Sequence, residues 1–334
     1  MTQRLREDSV VLLTGATGFI GSHLAEHLIK QGYRVRCIVR PETVKPKWID
    51  GLPLEIVRAS LTDRTALHTT TAGVRTIIHV AGVTKAKRHE DFRRGNVDTT
   101  ASLLDVARRI PDLKRFCCIS SLTVSGPSPS GRLVTEAEPA NPITAYARAK
   151  WEAEELCHAA ARELPVTVIR PPIVYGPRDH DVLEMFRWVR YGLHPVIGSP
   201  DKTLSVVHVQ DLVRGIALAA FDHRGVGRTY NIANEMPYRY DELIRLIAEV
   251  VGRRPLRFPF PTPLLYVVAG LVEAISILGP SPAVLSIDKA RDMVQPHWVS
   301  DPGLIHRELG FRSSIGITEG FRETYHWYRD QGWL

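Results

Sequence analysis

The run SVVLLTGATGFIG at residues 9–21 constrains this 334-residue chain more than any other. A β-rich stretch ends in three evenly spaced glycines, Gly15, Gly18 and Gly21, and passes at once into the helical pattern FIGSHLAEHLIKQG, with Gly32 as its stop. Glycine lets a backbone turn tightly and come close to a ligand, and a helix starting on such a turn aims its free N–H groups and the positive end of its dipole at one place. That place suits a pyrophosphate. The order strand, glycine turn, helix therefore predicts a dinucleotide-binding unit, with Gly15, Thr17, Gly18, Phe19, Ile20 and Gly21 around the cofactor.

The next 150 residues repeat the alternation. YRVRCIVR, LEIVRAS, RTIIHVAG, KRFCCISS and VTVIRPPIVYG are short apolar runs, most of them separated by segments of helical periodicity. Near-continuous apolar strands separated by helices mean a parallel sheet covered on both faces. The expected fold is α/β, a Rossmann-type doubly wound parallel sheet with a smaller, mostly helical substrate-binding portion. Residues 1–177 and 204–234 are assigned to the sheet domain, and 178–203 and 235–334 to the substrate portion. Residues 263–279, PLLYVVAGLVEAISILG, are apolar almost all round and carry only Glu273. The stretch is short for a membrane span and reads first as a buried helix, then as an interfacial or substrate-covering one.

The charge is +7, spread without a dense basic run, which suits an anionic ligand. No helix-turn-helix, zinc-finger or RNA-binding signature accompanies it, so nucleic acid is not an expected partner. The histidines and cysteines form no metal-binding motif. Cys37, Cys117, Cys118 and Cys157 contain no C-x-x-C pair, and the opening MTQRLREDSVVLLTG lacks the apolar region of a signal peptide, so the expected compartment is reducing and cytoplasmic.

TAYARAK at 144–150 places Tyr146 and Lys150 four residues apart, on one face of a helix. Ser121 ends an expected central strand 25 residues earlier, and side chains at strand C-termini face the ligand crevice of a parallel sheet. Together with TGATGFIG, HVAG at 79–82, GNVDTT around Asn96, ISSLTVSG at 119–126, RPPIVYGPRD at 170–179 and VHVQDLVRGI at 207–216, this resembles the extended short-chain dehydrogenase/reductase family nearly end to end. The likeness is nearest to its 3β-hydroxysteroid dehydrogenase and dihydroflavonol reductase-like branches.

The resemblance implies that Tyr146 is the general acid/base, that Lys150 supports it and holds the nicotinamide ribose, and that Ser121 hydrogen-bonds the reacting oxygen. It implies cofactor contacts from Val80, Ala81, Gly82, Asn96, Pro171 and Ile173, and from Ser60 and Leu61 near the adenine, where Ser60 replaces a frequent Asp. It also implies a homodimer. An acidic residue at the end of the second strand would favour NAD(H). This chain instead has Arg36 and Arg40, and a guanidinium can clasp a 2′-phosphate, so NADP(H) is favoured over NAD(H).

Sugar dehydratases of the family resemble one another in a Thr-Asp-Glu triplet that eliminates water, and here the corresponding residues are Ser121, Leu122 and Thr123. The Asn that many nucleotide-sugar enzymes place after RPP is Ile173. The expected reaction is hydride exchange between a nicotinamide and a secondary alcohol or ketone of a small-molecule substrate. The alternative is a nucleotide-sugar epimerase with retained NAD.

Overall fold

The computed structural model describes residues 9–279, 282, 283 and 285–334. Its first half alternates as the patterning requires: β1 (Val10–Thr14), α1 (Phe19–Lys30), β2 (Arg34–Val39), β3 (Glu55–Arg58), α2 (Arg64–Thr69), β4 (Val74–His79), α3 (His89–Arg93), α4 (Thr99–Ala107), β5 (Arg115–Ile119), α5 (Ala145–Ala160) and β6 (Val166–Arg170). Gly32, at φ +81°, follows the end of α1 and turns the chain back towards β2.

Past β6 the elements shorten: β7 (Ile173–Tyr175), α6 (Leu183–Arg190), β8 (Leu193–Ile197), β9 (Thr203–Leu204), β10 (Val206–His208), α7 (Val209–Phe221) and β11 (Arg228–Asn231). The chain ends with β12 (Tyr238–Arg239), α8 (Tyr240–Val251), β13 (Leu256–Phe260), α9 (Thr262–Leu278), α10 (Ile287–Val294), β14 (His297–Trp298), α11 (Gly303–Leu309) and α12 (Ile317–Asp330).

Seven parallel strands form the main sheet in the order β3-β2-β1-β4-β5-β6-β11. Strand order reverses between β1 and β4, which opens a crevice above their C-terminal ends. The alternation of side chains along β1 separates two cores. Val11 and Leu13 pack with Leu24 and Leu28 of α1 and Leu212 and Ile216 of α7, whereas Val10 and Leu12 pack with Leu103 of α4 and Cys157 of α5. The fold is the Rossmann-like α/β architecture, with helices on both faces.

Two stretches depart from the sequence reading. VTVIRPPIVYG is two strands, because Pro171 and Pro172 lack the N–H groups a ladder needs. β6 stays in the main sheet and β7 leaves it to pair with β10. Residues 204–208, expected to rejoin the main sheet, instead pair Leu204 with β12 and β14 and Val206–His208 with β7. The chain returns to the main sheet only at β11, beside β6.

A third core, around Phe186, Leu243, Ile247, Phe321 and Tyr328, holds α6, α8 and α12 together. α9 packs on α10 through Leu265, Ala269 and Ala290. It is not the buried helix that its composition suggested, because Leu264, Val267, Leu271 and Ile275 lie 47–69% exposed. No described helix is long and apolar enough to cross a membrane.

Candidate active site

The glycine turn closes the crevice on one side. Gly15 sits at φ +75°, and a Cβ on it would lie 2.6 Å from Ala81 N, so only glycine lets β1 and the loop after β4 approach this closely. A Cβ on Gly21 would lie 2.1 Å from Gly15 O, so this glycine seats α1 against the turn. Gly18 differs. It is exposed, donates its N–H to Gly15 O at 3.0 Å, and a Cβ there would meet only that oxygen, at 3.3 Å. Gly18 also caps α1 without any side chain, and the first turn of α1 holds no acidic residue. An open face over uncapped helix N–H groups fits a dinucleotide pyrophosphate. Thr17, Phe19 and Ile20 are part-exposed around it.

α5 carries the Tyr and Lys. Thr144 caps it by accepting Ala147 N at 3.2 Å, and Asp288 of α10 accepts Ala145 N at 2.7 Å, so both fixings lie within two residues of Tyr146. Tyr146 is half-buried, its ring 6.2 Å from that of Phe92. One turn on, Lys150 is buried and donates from Nζ to Ile119 O at 2.5 Å. A further turn brings Glu154, fully buried, which accepts Ser120 Oγ at 2.5 Å and the Arg170 guanidinium at 2.5–3.2 Å. Tyr146, Lys150 and Glu154 thus share one face, and the lower two tie α5 to the ends of β5 and β6.

Ser121 follows the end of β5 and accepts two hydrogen bonds from Thr123, one from its N–H at 3.2 Å and one from its hydroxyl at 2.9 Å. With acceptor lone pairs so occupied, the Ser121 hydroxyl proton is left to donate outward. The single turn Leu122–Val124 packs against α5, and Leu122 N donates to Pro171 O at 2.9 Å. Pro171 is buried and Ile173 half-buried at the start of β7. Sequence reasoning noted Thr123 only as a missing carboxylate and passed over Glu154. The four-residue step that marks Tyr146 and Lys150 also reaches Glu154.

The loop after β4 joins the two sides. Thr14 Oγ1 accepts Ala81 N at 3.2 Å and meets His79 Nδ1 at 2.7 Å, and His79 Nε2 reaches Thr100 Oγ1 at 3.0 Å. Burial holds His79 down at about 3, so the ring is a neutral strut. A Cβ on Gly82 would lie 2.7 Å from Asn96 Oδ1 and 3.8 Å from Lys150 Nζ.

Asn96, expected beside the cofactor, has its side-chain amide held by backbone. Its Nδ2 donates to Val83 O at 3.0 Å and Phe92 O at 2.8 Å, and its Oδ1 accepts Val83 N at 3.2 Å. The amide is spent on backbone, and a π-helical turn at Arg94–Asp98 positions it to clasp the loop.

The two arginines at β2 also part company. Arg36 is buried, its Nε on Glu55 at 2.7 Å and its Nη1 on Thr70 O and Ala72 O at 2.6 and 2.8 Å. It cannot reach a cofactor phosphate without breaking these bonds, which corrects the expectation for this residue. Arg40, beyond the strand end, is 80% exposed and, among the described residues, has Glu42 at 3.6 Å. Ser60 bonds Thr62 Oγ1 at 2.9 Å, and Leu61 beside it is half-buried in the loop after β3.

The model of the NAD-dependent epimerase/dehydratase family matches residues 11–233, from β1 through β11. The chain belongs to that family. As a member of the NAD-dependent epimerase/dehydratase family it is an extended short-chain dehydrogenase/reductase and an NAD(P)-dependent enzyme. A ceramide reductase of Caulobacter vibrioides is 32% identical over 327 residues, covering 97% of this chain and 96% of the relative. A decarboxylating sterol-4-alpha-carboxylate 3-dehydrogenase of Dictyostelium discoideum is 29% identical over 225 residues, 63% of this chain and 66% of that one. Among solved structures, a UDP-glucuronic acid 4-epimerase from Bacillus cereus, in complex with UDP-glucuronic acid and NAD, superposes with a TM-score of 0.77 at 20% identity, covering 96% of this chain and 99% of that one. The last likeness is one of fold.

Proposed function

We propose that the chain is an NADP(H)-dependent reductase interconverting a ketone and a secondary alcohol on a long-chain, lipid-like substrate, with Tyr146, Lys150 and Ser121 as its catalytic residues. The observation that carries the reaction class is the end of β5. Leu122 is buried in the core and the Thr123 hydroxyl is spent on Ser121, so the two positions beside Ser121 offer no carboxylate to eliminate water or take a carbon-bound proton. What remains is a set of groups suited to one oxygen atom that gains or loses a proton.

With its pyrophosphate on the glycine turn, the bound dinucleotide would supply or take the hydride through its nicotinamide. Ser121 Oγ–H donates to the substrate oxygen and orients it. Tyr146 Oη holds the proton which that oxygen takes up as ketone becomes alcohol, and it removes the same proton in reverse. Lys150 has one donor fixed on Ile119 O, leaving two to steady the phenol and a ribose hydroxyl. Pro171 and Ile173 keep this edge of the pocket apolar. The preference for NADP(H) rests on Arg40, whose exposed guanidinium has a 3.6 Å pairing with Glu42 and suits a 2′-phosphate.

The substrate class is supported by full-length similarity to a ceramide reductase and partial similarity to a sterol dehydrogenase. The epimerase alternative has in its favour the family's own epimerase branch and a likeness of fold to solved epimerases. The chain is read as a homodimer in a reducing, cytoplasmic compartment, which its four free, buried cysteines support.

The test is to denature purified protein, identify any released nucleotide by mass spectrometry, and titrate empty protein with NADPH and NADH. We expect no retained nucleotide and tighter NADPH binding, with Arg40→Ala weakening NADPH by about tenfold, the worth of one lost charge-assisted contact, and leaving NADH unchanged. Tightly retained NAD would overturn the reading in favour of the epimerase.

A further inference from the structure

α9 carries an apolar face that the described residues leave uncovered. Leu264, Val267, Leu271 and Ile275 follow one another at intervals of three and four residues, which sets them on one side of a helix. They are 47, 57, 60 and 69% exposed, and Ile277, on the flank near the end of the helix, is 68% exposed. The opposite side, through Leu265 and Ala269, packs on α10. Glu273, the helix's one charged residue, turns inward to accept Ile287 N at 2.9 Å, and Ser276 bonds back to Glu273 O. The outward side therefore presents an apolar surface about 25 Å long with no charge on it.

Cations frame this surface at both ends. Arg253, Arg254 and Arg257 are exposed at the start of β13, which leads into α9, and of these Arg257 faces Asp241 at 3.3 Å. Leu256 and Tyr191 project beside them, 71 and 76% exposed. At the far end Lys87 donates to Gly279 O, and Arg88 and Lys289 are exposed nearby in sequence. An apolar helix side framed by cations and an amphipathic aromatic is complementary to the surface of an anionic bilayer, where acyl chains take the apolar residues and headgroups the charges.

We propose that α9 lies flat in the surface of an anionic lipid bilayer and holds the mouth of the catalytic crevice against it. The link to the crevice is direct. Lys87, on the end of α9, lies five residues past Gly82, and α10, which Glu273 caps, fixes Ala145 through Asp288 next to Tyr146. A substrate with a long acyl chain would then pass from bilayer to site without crossing water. The substrate part of this inference rests on the lipid-ketone reading, whereas the docking stands on the helix itself.

Flotation of the full chain with vesicles tests it, using phosphatidylcholine–phosphatidylglycerol vesicles against phosphatidylcholine alone, in low and high salt. Wild type is expected to float with the anionic vesicles, less so in high salt, and the double variant Leu271→Gln, Ile275→Gln to partition at least about tenfold more weakly. The variant's circular dichroism and its reduction of a water-soluble short-chain ketone should match wild type, since both side chains are already exposed. Wild type that stays with the soluble fraction, or a variant that floats equally well, overturns the docking. So does a wild-type dimer that the variant dissociates in the absence of vesicles, which would make this side an interface between two copies. Docking without turnover of any long-chain ketone would retain the bilayer contact and remove the substrate reading.

Discussion

Ser121 shows how much of the site depends on residues that make no contact with substrate. Its Oγ takes both Thr123 donors, so in the proposed reaction its own proton is left for the substrate oxygen. Thr123→Val keeps the shape and the N–H donor but removes the hydroxyl. Losing one neutral hydrogen bond costs about 0.5–1.5 kcal/mol, so kcat should fall roughly three- to tenfold with KM and melting temperature unchanged. Steady-state kinetics reads this directly, and an unaltered kcat would detach Thr123 from the chemistry. The placement of Tyr146 and Lys150 on one helix face and of Ser121 at a strand end was legible in sequence because it follows from spacing alone. The roles of Arg36 and Asn96 were not, since a side chain's partners are set by tertiary neighbours. Arg36 is claimed by two carbonyls 34 and 36 residues away, and no local pattern announces them.

At the scale of elements, the six strands of the first half were readable because buried parallel strands are nearly uninterrupted apolar runs. Pro171 and Pro172 divide the last run, a limit that the missing N–H groups already contained. α9 misled for another reason. Apolar composition says that a surface prefers to leave water but not what covers it, and here the described residues leave one side of the helix uncovered. The glycine turn permits a sharper test, because its three glycines serve different ends. Gly21→Ala puts a Cβ 2.1 Å from Gly15 O and should lower the melting temperature by several degrees, the effect of a few kcal/mol of strain. Gly18→Ala meets only a 3.3 Å contact and should leave the melting temperature nearly unchanged, yet raise the NADPH dissociation constant about tenfold or more by filling the open face. Calorimetry with cofactor titration separates the two, and equal effects of the variants on both readouts would contradict the division of roles.

Across the whole molecule, the reversal of strand order between β1 and β4 decides where chemistry can happen. The glycine turn, the Val80–Gly82 loop, Lys150, Ile119, Ser121, Leu122 and Pro171 form one connected chain of contacts along the C-terminal edge of the sheet. Around it the small sheets, α6, α8 and α12 build a separate core, and α10, packed on α9, braces the start of α5. The most direct measurement of the central claim is transfer of deuterium from NADPH carrying deuterium at both C4 positions of the nicotinamide to the new carbinol carbon of a long-chain ketone, followed by mass spectrometry in wild type and in Tyr146→Phe. Wild type should deliver one deuterium per alcohol formed, and Tyr146→Phe should bind NADPH as tightly while losing at least about a hundredfold in rate, the usual worth of a positioned proton donor. A Tyr146→Phe variant that transfers deuterium at the wild-type rate, or a wild type that makes alcohol without the label, would contradict the account.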